Sequence, residues 1–229
     1  MKRLFGRYAL VTGGTSGIGG ACARAMAREG AAVVAAGRRG LPGPLTAPAA
    51  GQVTTCALDV TDEASVVQRI DEMPALDLLV CAAGVGVFTS ILRTTVADLR
   101  QLLEVDVVGT FLCAREALRR MAEQRRGHIV VIGSISSQRW FVDCGAYTAA
   151  KAGQHGFAKV LAEEARPYNV RVTLVLPGAT DTAIWDGRPG FDRDRMMSPD
   201  DLAGVIVSAV VRPSVAIEEL TVLPPAGAL

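Results

Sequence analysis

Histidine is almost absent, with two in 229 residues, and the five cysteines stand far apart at positions 22, 56, 81, 113 and 144. No Cys-x-x-Cys pair and no histidine cluster falls at metal-ligand spacing, so neither a zinc site nor a dithiol redox centre has support, and no metal is expected. Cysteines of this kind read as small core residues in a reducing compartment. An excess of one charge is missing as well: 24 Lys and Arg face 23 Asp and Glu, scattered along the chain, for a formal net charge of +1. That balance carries no footprint for nucleic acid or an anionic membrane, and neither is expected as a partner. Long apolar runs are lacking too. The longest, 78–88, is far short of a membrane span, and the basic start Met1-Lys-Arg-Leu-Phe-Gly-Arg leads into no apolar signal segment, so a soluble cytoplasmic protein is expected.

What is present is apolar residue in quantity, 50% of the chain, enough for a core covered on both faces. The length fits one α/β domain over residues 1–229. Strand-like runs at 8–12, 31–36, 52–57, 76–82, 128–133, 171–176 and 219–223 alternate with helical patterns at 18–29, 62–72, 95–104, 109–124, 145–165 and 199–211. Such alternation marks parallel βαβ units, and predicts a doubly wound, mostly seven-stranded parallel sheet with helices on both faces, a Rossmann fold. Right-handed crossovers then gather the functional loops at the strand C-termini. Two stretches break the rhythm. Residues 37–48 have the Gly and Pro density of a loop and leave little room for a helix. Residues 181–198 form a longer segment that mixes charge with Ile184, Trp185, Phe191, Met196 and Met197, and a loop of that length reads as a substrate lid or a disordered segment.

Tyr147 and Lys151 stand four apart in Ala-Tyr-Thr-Ala-Ala-Lys, thirteen residues and more beyond Ser134. On a helix this spacing puts phenol and ammonium on one face. A free tyrosine ionises near pH 10, so forming a phenolate at pH 7 costs roughly 4 kcal/mol, and a neighbouring cation lowers that cost. The pair therefore suits proton exchange near neutrality, although a Tyr and a Lys at this spacing also describe an ordinary surface pair. Near the N-terminus a short apolar run ends at Thr12, glycines follow at 13, 14, 17 and 19, and a helical pattern begins at once. Strand, tight turn and helix in this order present backbone N–H groups and the positive end of a helix to a pyrophosphate. Glycine as plain loop punctuation remains the alternative.

Taken together, Thr12-Gly-x-x-x-Gly-Ile-Gly, Asp59, Ala83-Gly84, Ser134, Tyr147, Lys151 and Pro177-Gly178 have the order and spacing of the short-chain dehydrogenase/reductase family, which the chain resembles from about residue 6 to its C-terminus. The resemblance implies hydride transfer between a nicotinamide cofactor and a carbonyl or alcohol. Tyr147 would exchange the proton, Ser134 would orient the substrate oxygen, and Lys151 would serve the tyrosine and the nicotinamide ribose. It also implies cofactor contacts from Gly13, Thr15, Ser16, Gly17, Ile18, Gly19, Asp59, Val60, Ala83, Gly84, Tyr147, Lys151, Pro177, Gly178 and Thr182. Asp59 equally suits a cap for the helix opening at Asp62. Two departures stand out. Cys81-Ala82 replaces the family's usual pair of asparagines, and Asp106 replaces an asparagine that helps maintain a helix kink and a water chain from the lysine. A carboxylate there accepts hydrogen bonds but donates none unless protonated, which predicts an altered proton route and adds Asp106 to the catalytic set.

Gly37, followed by Arg38 and Arg39, stands where NAD-preferring relatives place an acid on the adenosine ribose. With no carboxylate to repel a 2'-phosphate, and guanidinium groups able to bind one, NADP(H) is expected over NAD(H). The competing reading is that both arginines only solvate a loop. Val85, Val87, Trp140, Phe141, Trp185 and Met196 fall where the resemblance puts the substrate pocket and point to an apolar carbonyl compound, though each also suits ordinary packing; Gln138 and Arg139 are available to a polar or anionic substituent, though an exposed arginine needs no such explanation. His128 and His155 have no evident catalytic pairing. A ketone or aldehyde reductase is the leading expectation, with an NAD-dependent alcohol dehydrogenase and a nucleotide-binding protein without turnover as the alternatives. Small residues in 109–124 and 145–165, Gly109, Ala114, Ala117 and Gly153 among them, permit close helix packing, and the resemblance implies a homodimer or homotetramer built on those helices.

Overall fold

Tyr8–Thr12 (β1) reads Tyr-Ala-Leu-Val-Thr, and its side chains alternate between two cores: Leu10 enters one, Ala9 and Val11 the other. The computed structural model describes residues 2–40, 43, 45–188 and 192–228. Around β1 lie Ala32–Gly37 (β2), Val53–Ala57 (β3), Leu78–Cys81 (β4), Gly127–Ile132 (β5), Val170–Pro177 (β6) and Glu219–Val222 (β7). They form one sheet of order β3-β2-β1-β4-β5-β6-β7 in which every pairing is parallel. A parallel sheet covered on both faces is apolar on both, and the central strands β1, β4 and β5 are buried over nearly their whole length.

Among the described residues six α-helices cover the faces: Gly17–Arg28 (α1), Glu63–Asp71 (α2), Val96–Leu102 (α3), Gly109–Gln124 (α4), Gly145–Ala165 (α5) and Pro199–Val210 (α6). Residues of α1 and α6 line one core, and residues of α2, α4 and α5 line the other. The strand order reverses direction between β1 and β4, so the crevice beyond their C-terminal ends is the place where doubly wound sheets bind ligands. The expected strands and helices all appear, with ends moved by one or two residues. β4 begins at 78 rather than 76 because Asp77 is spent differently: its carboxylate accepts from the Tyr8 amide at 3.0 Å and pairs with Arg7 and Arg126.

Three connecting stretches bear on the site. Between α3 and α4 the predicted break is a π-helical turn, Leu103–Val108, so that 96–124 runs as one distorted helix. The segment 38–52 contains no helix among its described residues, as expected, although Leu41, Pro42 and Pro44 lie outside the description. The expected lid, 181–198, is tied at its neck. The amide of Asp181 donates to Met197 O at 2.9 Å, that of Met197 to Ala179 O at 3.0 Å, and Arg193 pairs with Asp181 and with Asp186. Pro189, Gly190 and Phe191 of that segment also lie outside the described residues.

Candidate active site

Thr12 ends β1, and the chain then turns sharply into α1. Gly13 has φ +65°, a left-handed conformation, and a Cβ there would stand 2.7 Å from Ala82 O and from the Ala83 amide. Only glycine lets the turn lie this close to the end of β4. Ser16 is the N-cap of α1 in extended conformation, and no side chain caps the helix. The first-turn amides and the positive end of the helix dipole are therefore free for an anion. Thr182 lies over this turn, with its Cγ2 at 3.3 Å from where a Cβ of Gly17 would be. Pro177 ends β6 beside it, and the Gly178 amide donates to Val222 O. Thr12 ties β1 to the end of β4: its hydroxyl accepts from the Ala83 amide at 3.3 Å and donates to Val80 O at 3.5 Å.

Arg38 and Arg39 follow β2, exposed and without an ion pair among the described residues. Asp59 follows β3. Its carboxylate accepts from the Thr61 amide and hydroxyl at 3.0 and 2.8 Å, which holds it below the usual carboxylate range, and Arg38 adds to the effect. Asp59 is thus locked in its own turn and does not cap α2; Asp62 does, accepting from the Ala64 amide. Val60, beside it, is buried against Gly109, where a Cβ would come within 2.6 Å of Val60 Cγ2. Gly37 packs close to the glycine-rich turn: a Cβ there would stand 2.8 Å from Thr15 Oγ1, so a side chain at 37 would require Thr15 to shift.

Ser134, Tyr147 and Lys151 converge where β5 and α5 meet. Ser134 leads the turn Ile135–Ser137, and its Oγ accepts from the Ser136 amide at 3.1 Å. Tyr147 and Lys151 lie one turn apart on α5, as their spacing predicts, with Lys151 Nζ 5.7 Å from the centre of the phenol ring. Both are buried, so the ordinary surface pair is excluded. Lys151 Nζ donates to Asp106 Oδ1 at 3.0 Å, to Gln154 Oε1 at 3.0 Å and to Ile132 O at 3.5 Å, and Gln154 Nε2 continues to Thr110 Oγ1 at 2.9 Å.

Asp106 sits in the π-helical turn, fully buried, with Oδ2 lacking any hydrogen-bond partner. Gly84 makes room for it, since a Cβ there would stand 2.7 Å from Asp106 Oδ1. Burial pushes the Asp106 carboxyl up despite the pull of Lys151. Burial alone would lower the Lys151 ammonium, but Asp106 and Tyr147 outweigh it and hold the cation above the usual lysine range. The result is a buried cation, kept charged by a buried carboxylate, beneath a phenol.

Around Tyr147 the wall is apolar. Val85, Val87 and Phe88 pack against it, Phe88 at 4.9 Å between ring centroids, and Trp185 stacks on Phe88 at 5.7 Å. The Arg188 guanidinium lies over the outer part of this wall, 3.8 Å from the Phe88 centroid. Trp140, by contrast, is 84% exposed, and Gln138 is engaged with Glu219 at 2.9 Å. His155 bridges Ser137 and Glu219, and His128 is a core residue on Thr173 whose ring burial drives down to about pH 3. Of the cysteines, Cys22, Cys56, Cys81 and Cys113 are buried as expected, Cys144 is half-buried, and all five are free. Residues that sequence reasoning passed over are Gln154, Thr110, Phe88 and Arg188. Gln154 carried a signal, because it lies at i+3 from Lys151 and at i+7 from Tyr147 on the same helix face; Arg188 carried none.

Comparison with known proteins bears on the family and the fold. The family described as short chain dehydrogenase matches residues 7–189. An uncharacterized oxidoreductase of Staphylococcus aureus is 33% identical over 235 residues, covering 98% of this chain and 100% of the relative. A solved structure titled short chain dehydrogenase/reductase family protein superposes with a TM-score of 0.85 at 30% identity, covering 100% of both chains. An alcohol dehydrogenase from Thermococcus sibiricus, solved with 5-hydroxy-NADP, superposes with a TM-score of 0.82 at 24% identity over 94% of this chain and 95% of that one, a likeness of fold.

Proposed function

The chain belongs to the short-chain dehydrogenase family of oxidoreductases, enzymes that use nicotinamide cofactors, and on that premise we propose that it is an NADP(H)-dependent reductase of a ketone or aldehyde. Residues 1–229 would act as a single cofactor-binding and catalytic domain, with 181–198 as its substrate lid. The observation that carries the reading is the buried Lys151–Asp106 pair directly beneath Tyr147. A charge placed this deep is costly unless it serves a function.

The uncapped α1 N-terminus and the close-packed glycine-rich turn fit a dinucleotide diphosphate, which Gly13, Thr15, Ser16, Gly17, Ile18 and Gly19 would hold. Asp59 and Val60 would meet the adenine, Arg38 and Arg39 the 2'-phosphate, and Ala83, Gly84, Pro177, Gly178 and Thr182 the nicotinamide end. The reduced cofactor, when bound, supplies a hydride to the carbonyl carbon. Ser134 Oγ would orient the carbonyl oxygen. Tyr147 would give that oxygen its proton, so that the carbonyl leaves as an alcohol, and would regain a proton from solvent through the Lys151 network. The apolar wall of Val85, Val87 and Phe88 would exclude water from the reacting face. Stopped assays of NADPH oxidation against a panel of ketones and aldehydes test the reading, and absence of turnover on all of them would favour a binding protein.

The cofactor preference has its own test. NADPH should bind about ten- to a hundredfold more tightly than NADH at low salt, which is the scale of one or two charge-assisted hydrogen bonds, and the margin should shrink as salt screens it. Replacing Arg38 and Arg39 together by glutamine should remove most of the margin while leaving NADH affinity alone. Equal calorimetric affinities of the wild-type protein for the two cofactors would reject the phosphate assignment.

Assembly through α4 and α5 is part of the proposal. Phe111 is 41% exposed and packs edge-on against Phe157 of α5, and Val160, 57% exposed, lies on α5 as well. A dimer or tetramer is expected by light scattering at micromolar concentration, and a monomer would reject it.

A further inference from the structure

Arg188 is the cation at this site that the catalytic scheme leaves unused. Its Nη2 donates to Gly86 O at 3.0 Å and its guanidinium stacks on Phe88, so the group is anchored on two sides. Its Nη1 is buried, and among the described residues it has no hydrogen-bond partner and the guanidinium makes no ion pair. Burial pulls its pKa down from the usual arginine range, a sign that the charge lacks compensation, yet arginine stays protonated. Arg193, in the same segment, instead pairs with Asp181 and Asp186. An unsatisfied buried donor on a charged group is rare in a folded protein, and its position says what could satisfy it. Arg188 lies on Phe88, and Phe88 lies on Tyr147. An anion meeting Nη1 would thus sit on the wall that holds the proposed carbonyl.

We propose that Arg188 is the anion-recognition residue of the substrate pocket, and that the carbonyl substrate carries a carboxylate a few bonds from its reacting carbon. This rests on the reductase reading and narrows its substrate class from a neutral ketone or aldehyde to a short oxo acid. The rest of the pocket suits that choice. Its apolar wall of Val85, Val87, Phe88 and Trp185 accepts a short carbon chain, and one free edge of the guanidinium matches a single carboxylate. A phosphate dianion would ask for more donors than remain, since Nη2 is already engaged with Gly86.

The test compares each of several oxo acids, from 2-oxobutanoate to 4-oxopentanoate, with its methyl ester, in wild type and in Arg188→Met and Arg188→Lys. The wild-type enzyme should prefer the acid over the ester by about thirtyfold or more in kcat/KM, in the range of a charge-assisted hydrogen bond. Arg188→Met should bring that ratio close to one, mainly through KM for the acid, and Arg188→Lys should restore part of it. A ratio unchanged in Arg188→Met overturns the proposal. So does an equal loss of NADPH affinity in that variant without substrate, which would assign Arg188 to the cofactor. Binding of unreactive pentanoate, pentanamide and inorganic phosphate, followed by Trp185 fluorescence with NADP+ present, separates the two levels. Arg188-dependent binding of pentanoate over pentanamide without turnover of any carbonyl keeps the anion site and rejects the reductase reading. Turnover of neutral carbonyls without Arg188-dependent pentanoate binding does the reverse, and Arg188-dependent binding of phosphate alone overturns the carboxylate assignment.

Discussion

Replacing Tyr147 by phenylalanine should lower kcat by about 10²- to 10⁴-fold, the usual contribution of a positioned general acid, while NADPH still binds. The substitution removes one oxygen. The ring remains packed among Phe88, Val85 and Val87, and its hydroxyl makes no hydrogen bond to any described residue, so no buried partner is orphaned. Thermal stability should therefore stay within about 1 kcal/mol of wild type. Both readouts are needed, because loss of activity with loss of fold would say nothing about proton transfer. A variant that is folded, binds NADPH and turns over at near the wild-type kcat on an established substrate would show that Tyr147 is not the acid.

The fold was legible because its signals are repetitive. Seven apolar runs of strand length are interleaved with six helical patterns, and misplacing an end by two residues leaves the βαβ order intact. The Tyr147–Lys151 relation was legible for a related reason: both residues lie on one helix, and helical geometry converts a spacing of four into adjacency. Contacts that cross between elements have no such local code. Asp106 meets Lys151 over 45 residues of chain, and only the π-helical turn at 103–108 aims its carboxylate inward. A wider turn is a property of hydrogen-bond register and leaves no periodic trace in seven residues. Arg188 is the extreme case, because it sits in irregular backbone beside a wall assembled from three separate segments. Gln138 shows the same limit: its amide nitrogen donates to Glu219 on β7, a partner 81 residues away that no local pattern announces.

The Asp106 position also connects the site to the stability of the fold. A buried ion pair gains little net stability over an apolar pair of the same shape, because both charges give up their hydration. Keeping one under Tyr147 makes sense if the cation must be charged there at neutral pH. Asp106 does this by direct contact, at 3.0 Å, whereas an asparagine could offer Lys151 only a neutral carbonyl oxygen. The carboxylate's second oxygen, Oδ2, has no hydrogen-bond partner among the described residues.

Breaking the pair from the lysine side should therefore be severe. Lys151→Met leaves the Asp106 carboxylate fully buried and without its cation, a situation that costs about 3–5 kcal/mol near neutral pH, and it should abolish turnover as well. The pH dependence follows from the sign of the shift. Burial already holds the Asp106 carboxyl above its unfolded value, and without Lys151 it must rise further. A group raised in the folded state favours folding fully below its unfolded pKa and loses that contribution as pH climbs through the folded one. The variant should thus be most stable in acid and fall away toward neutrality, more steeply than wild type. Adding Asp106→Asn removes the buried charge, so the double variant should recover much of the stability and none of the activity. Asp106→Asn alone acts on the other partner. Lys151 loses the carboxylate that raises it, burial then pulls the ammonium down, and the alkaline limb of the kcat profile should move to lower pH. Chemical denaturation of the three variants from pH 4 to 8, together with the kcat profile of Asp106→Asn, checks the whole argument. A Lys151→Met protein whose stability loss is below about 1 kcal/mol and flat with pH would reject the buried charge pair, and an unshifted alkaline limb in Asp106→Asn would confine Asp106 to a structural role.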